Sequence, residues 1–162
     1  MLNNTLPDSS RIWIYQSNRS FTEQETKLLQ NIFDEFVAGW TAHSKQLIAA
    51  MEIVYNRFIV VTLDESAAEA TGCSIDKSVH LLKQVEKELG VELFDRQRVA
   101  YRKGNEILDF HATELEKLIT NDTIHQDTII FNNVLATKGE LLTNWEMPLK
   151  NTWVSNFIAV NN

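Results

Sequence analysis

A glycine, a cysteine and a serine stand together where a predicted strand and loop give way to a predicted helix. Gly72, Cys73 and Ser74 follow a loop of small residues and precede apolar side chains at helical spacing. Unpaired amides and the helix dipole at such a terminus favour bound anions and an ionised thiol. Two roles stay open for this segment: an anion-binding turn, or a helix start in which Ser74 or Cys73 caps the first turn.

Four polar residues are expected at the same edge of the predicted sheet. If the first and third strands are parallel neighbours, Asn18 and Arg19 follow the first strand close to where Asp64 and Glu65 follow the third. One cation, two acids and a helix N-terminus suit a pocket for a small anionic or polar ligand. An ordinary ion pair from Arg19 to Asp64 or Glu65 would account for the same residues.

Cys73 also supports an enzymatic alternative, with the thiolate as nucleophile and Asp64 or Glu65 as acid or base. Activation by histidine is not expected, because His43 follows the first helix and His80 lies about two turns into the second. A cysteine hydrolase is therefore disfavoured. No cofactor is implied either, since the sequence lacks the P-loop, dinucleotide-binding and metalloprotease motifs.

Hydrophobic spacing predicts the elements that position these residues. It indicates strands over 11–16, 51–55, 58–63, 91–94, 99–101 and 128–131, and helices over 22–40, 74–89, 109–120 and from about 133 to Pro148. The order strand, helix, strand, strand, helix, strand is typical of a split βαβ unit. We therefore expect an α+β, ferredoxin-like sheet with its helices on one face and a C-terminal helical extension.

The chain is expected to form one domain. Residues 1–10 are polar and predict a flexible N-terminal tail, while 11–158 predict a single α+β domain with a core at 11–104 and an extension at 105–158. Trp145 and Trp153 stand in the extension. They are expected either to pack on the domain's own core or to form a homodimer interface.

Charge and composition exclude several classes of partner. The net charge of −7 disfavours nucleic acid, whose phosphates attract basic surfaces. The basic cluster of Arg96, Arg98, Arg102 and Lys103 is typical of a solvated edge strand. One cysteine permits no internal disulfide, and His111 with Glu114 offers too few ligands for a metal. Without a signal segment or a long apolar run, a cytoplasmic location without membrane insertion is expected.

Several motifs together resemble a known group of bacterial proteins. They are Trp13–Arg19, Tyr55–Ile59, Gly72–Asp76, Phe94–Arg96, Phe131–Asn133, Thr137–Lys138 and a tail with Trp145, Pro148 and Trp153. In these, the chain is similar to a small uncharacterised family from Bacteroidetes-type bacteria, whose members are often labelled ABC transporter ATPases. The resemblance implies a bacterial protein, but no activity, cofactor or catalytic residue.

The leading hypothesis is a non-enzymatic cytoplasmic domain that binds a small polar or anionic ligand, or a partner protein, as a homodimer. The first alternative is the Cys73 enzyme, and the second is an accessory protein of a transport system.

Overall fold

The computed structural model describes residues 1–158, which form a mixed helix and strand protein. The α+β class is therefore confirmed. Contacts divide the chain into two units, one of residues 1–94 with 135–140 and one of 95–134 with the chain from 141 onward. The division falls between Phe94 and Asp95, earlier than the expected start of an extension at 105.

The first unit contains the first five predicted elements, in the order strand, helix, strand, strand, helix. In chain order it includes β1 (Arg11–Gln16), α1 (Glu23–Ala38), β2 (Thr41–Ala42), β3 (Lys45–Gln46), β4 (Ile48–Val54), β5 (Phe58–Asp64) and α2 (Gly72–Leu89). Thr22 caps α1 in a capping box with Glu25, so its start is set by local hydrogen bonds. The short β2–β3 hairpin is an addition to the predicted elements.

The sheet of the first unit has the strand order β1-β5-β4. β1 runs antiparallel to β5, with Arg11 opposite Leu63 and Gln16 opposite Phe58. β4 pairs antiparallel with the other side of β5. The expectation that the first and third strands are parallel neighbours is therefore wrong. Because β5 returns from β4 through a hairpin, it runs opposite to β4 and to the β1 strand that parallels β4.

One apolar core joins the sheet to both helices. Residues 58–63 of β5 are all buried, as their continuous apolar run predicts. Leu29 and Phe33 of α1 and Leu82 and Val85 of α2 pack in the same cluster. At about 25 cal/mol per Å² of buried apolar surface, this shared core is the main stabilising contribution to the unit.

The strand predicted at 91–94 is not formed. Gly90 ends α2 in the left-handed conformation, with φ 63°. Val91 and Leu93 are then buried, and the backbone of Glu92 exchanges hydrogen bonds with Asn18. The apolar alternation here therefore reflects burial against the core and not pairing within a sheet.

Residues 3–10, which we call the N-terminal arm, lie against the first unit where a flexible tail was expected. The buried Lys138 donates from Nζ to the carbonyls of Asn4 and Leu6, at 2.9 and 2.6 Å. The backbone amide of Gly139 donates to Asp8. A neighbouring segment also covers β1, since the amide of Ile12 donates to the carbonyl of Ala136.

The second unit is built on a separate antiparallel sheet of order β7-β6-β8-β9. Its elements include β6 (Arg98–Lys103), β7 (Glu106–His111), α3 (Leu115–Thr120), β8 (Ile129–Phe131), the end of α4 (Lys138–Asn144) and β9 (Glu146–Pro148). The start of the helix predicted at 109–120 is thus strand, and the helix predicted to reach Pro148 ends at Asn144.

The basic cluster lies mainly on an internal strand and not on an edge. β6 pairs on both sides, and Arg98 and Arg102 form ion pairs with Asp109 and Glu146 at 3.1 and 2.6 Å. The expectation of an edge strand is therefore wrong. The charges of Arg98 and Arg102 are neutralised across the sheet.

The aromatic residues of the C-terminal segment pack within their own unit. Trp145 is buried and donates from its indole nitrogen to Asn133. Trp153 packs against the apolar cluster that contains Leu115 and Val154. Of the two expectations for this segment, these contacts agree with packing on the core.

We expect Lys138→Met to destabilise the first unit. The substitution keeps the aliphatic stem but leaves two carbonyls of the N-terminal arm without their donor, which costs about 1–3 kcal/mol. Urea unfolding would measure the loss. The matched control is Lys27→Met on the exposed side of α1, expected to change stability by less than about 0.5 kcal/mol. Equal effects of the two variants would contradict the role given to Lys138.

Candidate functional site

The structure separates the residues of the predicted anion pocket. Asn18 and Arg19 contact the end of α2, at Glu92 and at the carbonyl of Leu89. Gly72, Cys73 and Ser74 begin the same helix, which has 18 residues. At 1.5 Å per residue the two groups are about 25 Å apart. The pocket is therefore not formed, because antiparallel pairing sends the end of β1 to the opposite end of the sheet.

Arg19 is engaged in a local ion pair. Its guanidinium donates to both carboxylate oxygens of Glu25, at 2.8 and 2.9 Å. These bonds, with the amide of Thr22, lower the pKa of Glu25 to about 2. The bond to Glu25 raises the pKa of Arg19. This arrangement ties the end of β1 to the start of α1 and to the last turn of α2.

Asp64 and Glu65 bind other partners than Arg19. The amide of Ser66 donates to Asp64 and lowers its pKa. Glu65 accepts from the amide of Ala70 and lies 3.6 Å from the guanidinium of Arg11. The expected ion pair from Arg19 to Asp64 or Glu65 is therefore wrong, and it is Arg11, at the other end of β1, that approaches Glu65.

The start of α2 is organised by a capping box. Thr71, not Ser74 or Cys73, is the N-cap residue: its hydroxyl accepts from the amide of Ser74, while the Ser74 hydroxyl accepts from the amide of Thr71. Cys73 beside them is exposed. Among the described residues, no hydrogen bond joins Cys73 to Asp64 or Glu65. The enzymatic alternative therefore gains no geometric support and stays a prediction.

Residues 1–158 contain no group of three or more histidine, cysteine, aspartate or glutamate side chains arranged to hold a metal ion. Among the helices in this range, none combines the length and the hydropathy that a membrane span requires.

A different site lies along the outer side of β4. Here a cavity of about 530 Å³, which we call the edge groove, is lined by Asn3 and Asn4 of the N-terminal arm, by Gln30, Asp34, Val37 and Ala38 of α1, and by residues 49–53 of β4. Side chains alternate between the two faces of a strand, so five consecutive residues share only its backbone edge. The floor of the groove is therefore the edge of β4.

The polar backbone groups of this edge face the groove. The side-chain amide of Gln30 donates to the carbonyl of Met51 at 2.9 Å, which shows that this carbonyl points away from β5. In an antiparallel pair the direction alternates, so Ala49 and Ile53 also present their amides and carbonyls outward. Within residues 1–158, no strand pairs with this side of β4.

The groove is acidic. Asp34 is exposed on the α1 wall, and Glu52 lies on β4. Glu52 is already bonded to the arm, accepting from the amides of Asn3 and Asn4 at 2.6 and 3.1 Å. None of the described lining residues is basic. Asp34 accepts a hydrogen bond from the side-chain amide of Gln30 at Oδ1 and is otherwise exposed, so it offers a carboxylate to a ligand.

Sequence reasoning did not find the edge groove. Its lining comes from three segments, at 3–4, 30–38 and 49–53, and consists mostly of amides, alanines and single acids. Such residues share no spacing that marks a site. The one available signal was in the strand predicted at 51–55. Glu52 is its single charged residue, whereas unpaired edge strands usually carry several charges that block pairing.

No family model, no curated protein and no solved structure matches this chain.

We expect Glu25→Gln to reduce stability in a pH-dependent way. The pKa of Glu25 is about 2 in the fold and about 4.3 in an unfolded chain. Since the folded value is the lower one, the carboxylate stabilises the fold above pH about 4.3, and this contribution is lost as the pH falls through about 2. Because the Arg19 side chain is 40% exposed, water screens the pair, and the expected loss at pH 7 is about 1 kcal/mol.

Urea unfolding between pH 2 and pH 7 would measure this difference. Glu23→Gln is the control, because its side chain is 84% exposed and pairs only with Lys27. A Glu25→Gln deficit of constant size across the whole range would contradict the proposed coupling.

We expect Cys73 to react with iodoacetamide in the folded protein. The residue is exposed, so the native rate should lie within about tenfold of the rate in the denatured chain. Mass spectrometry at several pH values would follow the reaction, and the single cysteine makes the product unambiguous. A thiol that stays inert until unfolding would show that the start of α2 is covered.

Proposed function

We propose that this chain is a non-enzymatic binding domain and that its ligand occupies the edge groove. The observation that carries the proposal is a cavity of about 530 Å³ whose floor is the unpaired edge of β4. Its size lies within the range of ligand sites, about 300–1,000 Å³. Directional hydrogen-bonding groups line its floor, and apolar surface from Val37 and Ala38 adjoins them.

The ligand of this groove is cationic. Asp34 and Glu52 contribute carboxylates without a basic side chain beside them, and the whole chain has a net charge of −7. Such a field raises the local concentration of cations and repels anions. The proposal keeps the polar-ligand hypothesis but reverses the expected sign of the ligand, because Arg19 is paired with Glu25 at another place in the unit.

We further infer that the first unit is a ferredoxin-like fold without its fourth strand. The strand order β1-β5-β4 and the shared core of α1 and α2 support this interpretation. In such an arrangement β4 is an outer strand. The fold thus accounts for the open edge on which the proposed function depends.

We expect Asp34→Asn to weaken the binding of small cations at the groove. The amide retains the acceptor for Gln30 but removes the charge, so affinity for agmatine should fall about two- to fivefold at low salt. NMR titration would give both the affinity and the location, through the backbone amides of Asp34 and of residues 49–53.

Glu35→Gln is the matched control, since Glu35 is the exposed neighbour of Asp34 and does not line the groove. It should leave agmatine binding unchanged, and inorganic phosphate should shift no groove amide. The proposal fails if agmatine shifts no amide of the groove, or if the two variants weaken its binding equally.

A further inference from the structure

We propose that the occupant of the edge groove is an extended peptide segment with a basic side chain, which adds to β4 as a further strand. This proposal rests on the proposed function and specifies the ligand. It concerns a mode of recognition in which backbone hydrogen bonds contribute affinity and side-chain contacts contribute specificity.

The backbone of β4 provides the required pattern of donors and acceptors. Ala49, Met51 and Ile53 direct their amides and carbonyls away from β5, as the bond from Gln30 to the Met51 carbonyl indicates. A compact ligand cannot form hydrogen bonds with all of these amides and carbonyls, because they are spread along a strand that rises about 3.3 Å per residue. An extended peptide has the same repeat, so its own amides and carbonyls match all three residues.

The bond from Gln30 marks where a peptide donor would bind. Its Nε2 lies 2.9 Å from the Met51 carbonyl, which is a normal distance for a strand-to-strand hydrogen bond. A side-chain amide thus occupies the position that a peptide N–H would take. It satisfies this edge acceptor in the free protein, and rotation about its side-chain bonds would release the carbonyl to a ligand.

The walls of the groove define what the peptide side chains meet. Successive side chains of an added strand would alternate between the α1 wall and the arm. On the α1 side they meet Asp34, Val37 and Ala38, which suits a basic residue with an aliphatic stem. On the other side they meet the amides of Asn3 and Asn4, which suits a polar residue.

A second copy of this chain fits the groove less well. Pairing two antiparallel β4 strands about Met51 would set the acidic groove of one copy, with Asp34 and Glu52, against that of the other. Like charges brought together in this way repel one another, and no basic residue of the groove would offset them. A basic segment of a different protein has the complementary charge, so we assign the groove to such a partner.

The test uses the peptide acetyl-Thr-Val-Lys-Val-Thr-amide and two backbone-methylated forms of it. One form is N-methylated at its second and fourth residues, the other at its first, third and fifth. An added strand directs alternate amides to β4, so one form should bind about tenfold or more weakly and the other within about twofold of the parent. A ligand held by side chains alone would lose affinity equally in both forms.

Hydrogen exchange gives an independent readout on the full chain. With the peptide bound, the amides of Ala49, Met51 and Ile53 should exchange about tenfold more slowly. Those of Ala50 and Glu52 already face β5 and should change little. Asp34→Asn should weaken the binding of the lysine peptide, while Glu35→Gln should leave it unchanged. A matched peptide with norleucine for lysine should bind more weakly and be insensitive to Asp34→Asn.

Nα-acetyl-lysine amide, which has the charged side chain but is too short to form a strand, distinguishes a cationic site from strand addition. If it binds at the groove and the pentapeptide binds no tighter, or both methylated forms weaken equally, strand addition is overturned while the cationic site stands. If neither compound shifts a groove amide, both proposals fall. A free chain that sediments as a dimer with Ala49, Met51 and Ile53 already protected would identify a second copy as the occupant and overturn the peptide proposal.

Discussion

The antiparallel register of β1 against β5 decides which residues of the first unit can meet. Gln16 lies opposite Phe58 and Arg11 opposite Leu63, so the loops that leave these strands diverge to opposite ends of the sheet. If β1 ran in the opposite direction beside β5, the loop residues at the two ends of the sheet would be exchanged, while the burial of each strand would stay the same. The register thus brings Arg11, and not Arg19, to Glu65, and places Arg19 beside Glu25 and the end of α2.

The two edges of this three-stranded sheet differ in how far their backbone groups are hydrogen-bonded. At the start of β1, the segment that includes Ala136 and Lys138 forms backbone hydrogen bonds with Ser10 and Ile12 and so covers the outer side of the strand there. Along β4, the side-chain amide of Gln30 is the one group of the described residues that reaches an edge carbonyl. Unpaired edges promote association between chains unless charge or covering structure prevents it. Here the N-terminal arm and the carboxylates of Asp34 and Glu52 flank the open edge, which restricts the partners it accepts.

Local signals in the sequence predicted several of the elements but not their arrangement. The Thr22–Glu25 capping box, the apolar run of β5 and the glycine after α2 each act within a few residues, and each predicted its element. The direction of a neighbouring strand is a long-range property, since apolar alternation looks the same in either direction. The strand predicted at Val91–Phe94 is also wrong, because its apolar alternation reflects burial against the core without pairing in a sheet.

The candidate site was beyond sequence reasoning for a related reason. A sequence marks candidate sites by reactive side chains such as that of Cys73, whereas the groove is made mainly of backbone groups, which every residue possesses. What distinguishes Ala49, Met51 and Ile53 is only the lack of a neighbouring strand. A missing neighbour leaves no mark in composition or spacing, and it becomes visible only once the sheet order is known.

The bond from Lys138 to the N-terminal arm has a consequence for the order of events during synthesis. Its two acceptors, the carbonyls of Asn4 and Leu6, precede the lysine by 134 and 132 residues. Domains generally fold as units as the chain emerges from the ribosome. The sheet, α1 and α2 of the first unit are complete in sequence by Phe94, and Asn3 and Asn4 of the arm can already bond to Glu52. The bonds from Lys138 to the carbonyls of Asn4 and Leu6, and that from Ile12 to the carbonyl of Ala136, must wait until most of the second unit has been translated. The nascent protein therefore passes through a stage in which its core is formed while the later part of the arm and the start of β1 lack these contacts and remain accessible to chaperones.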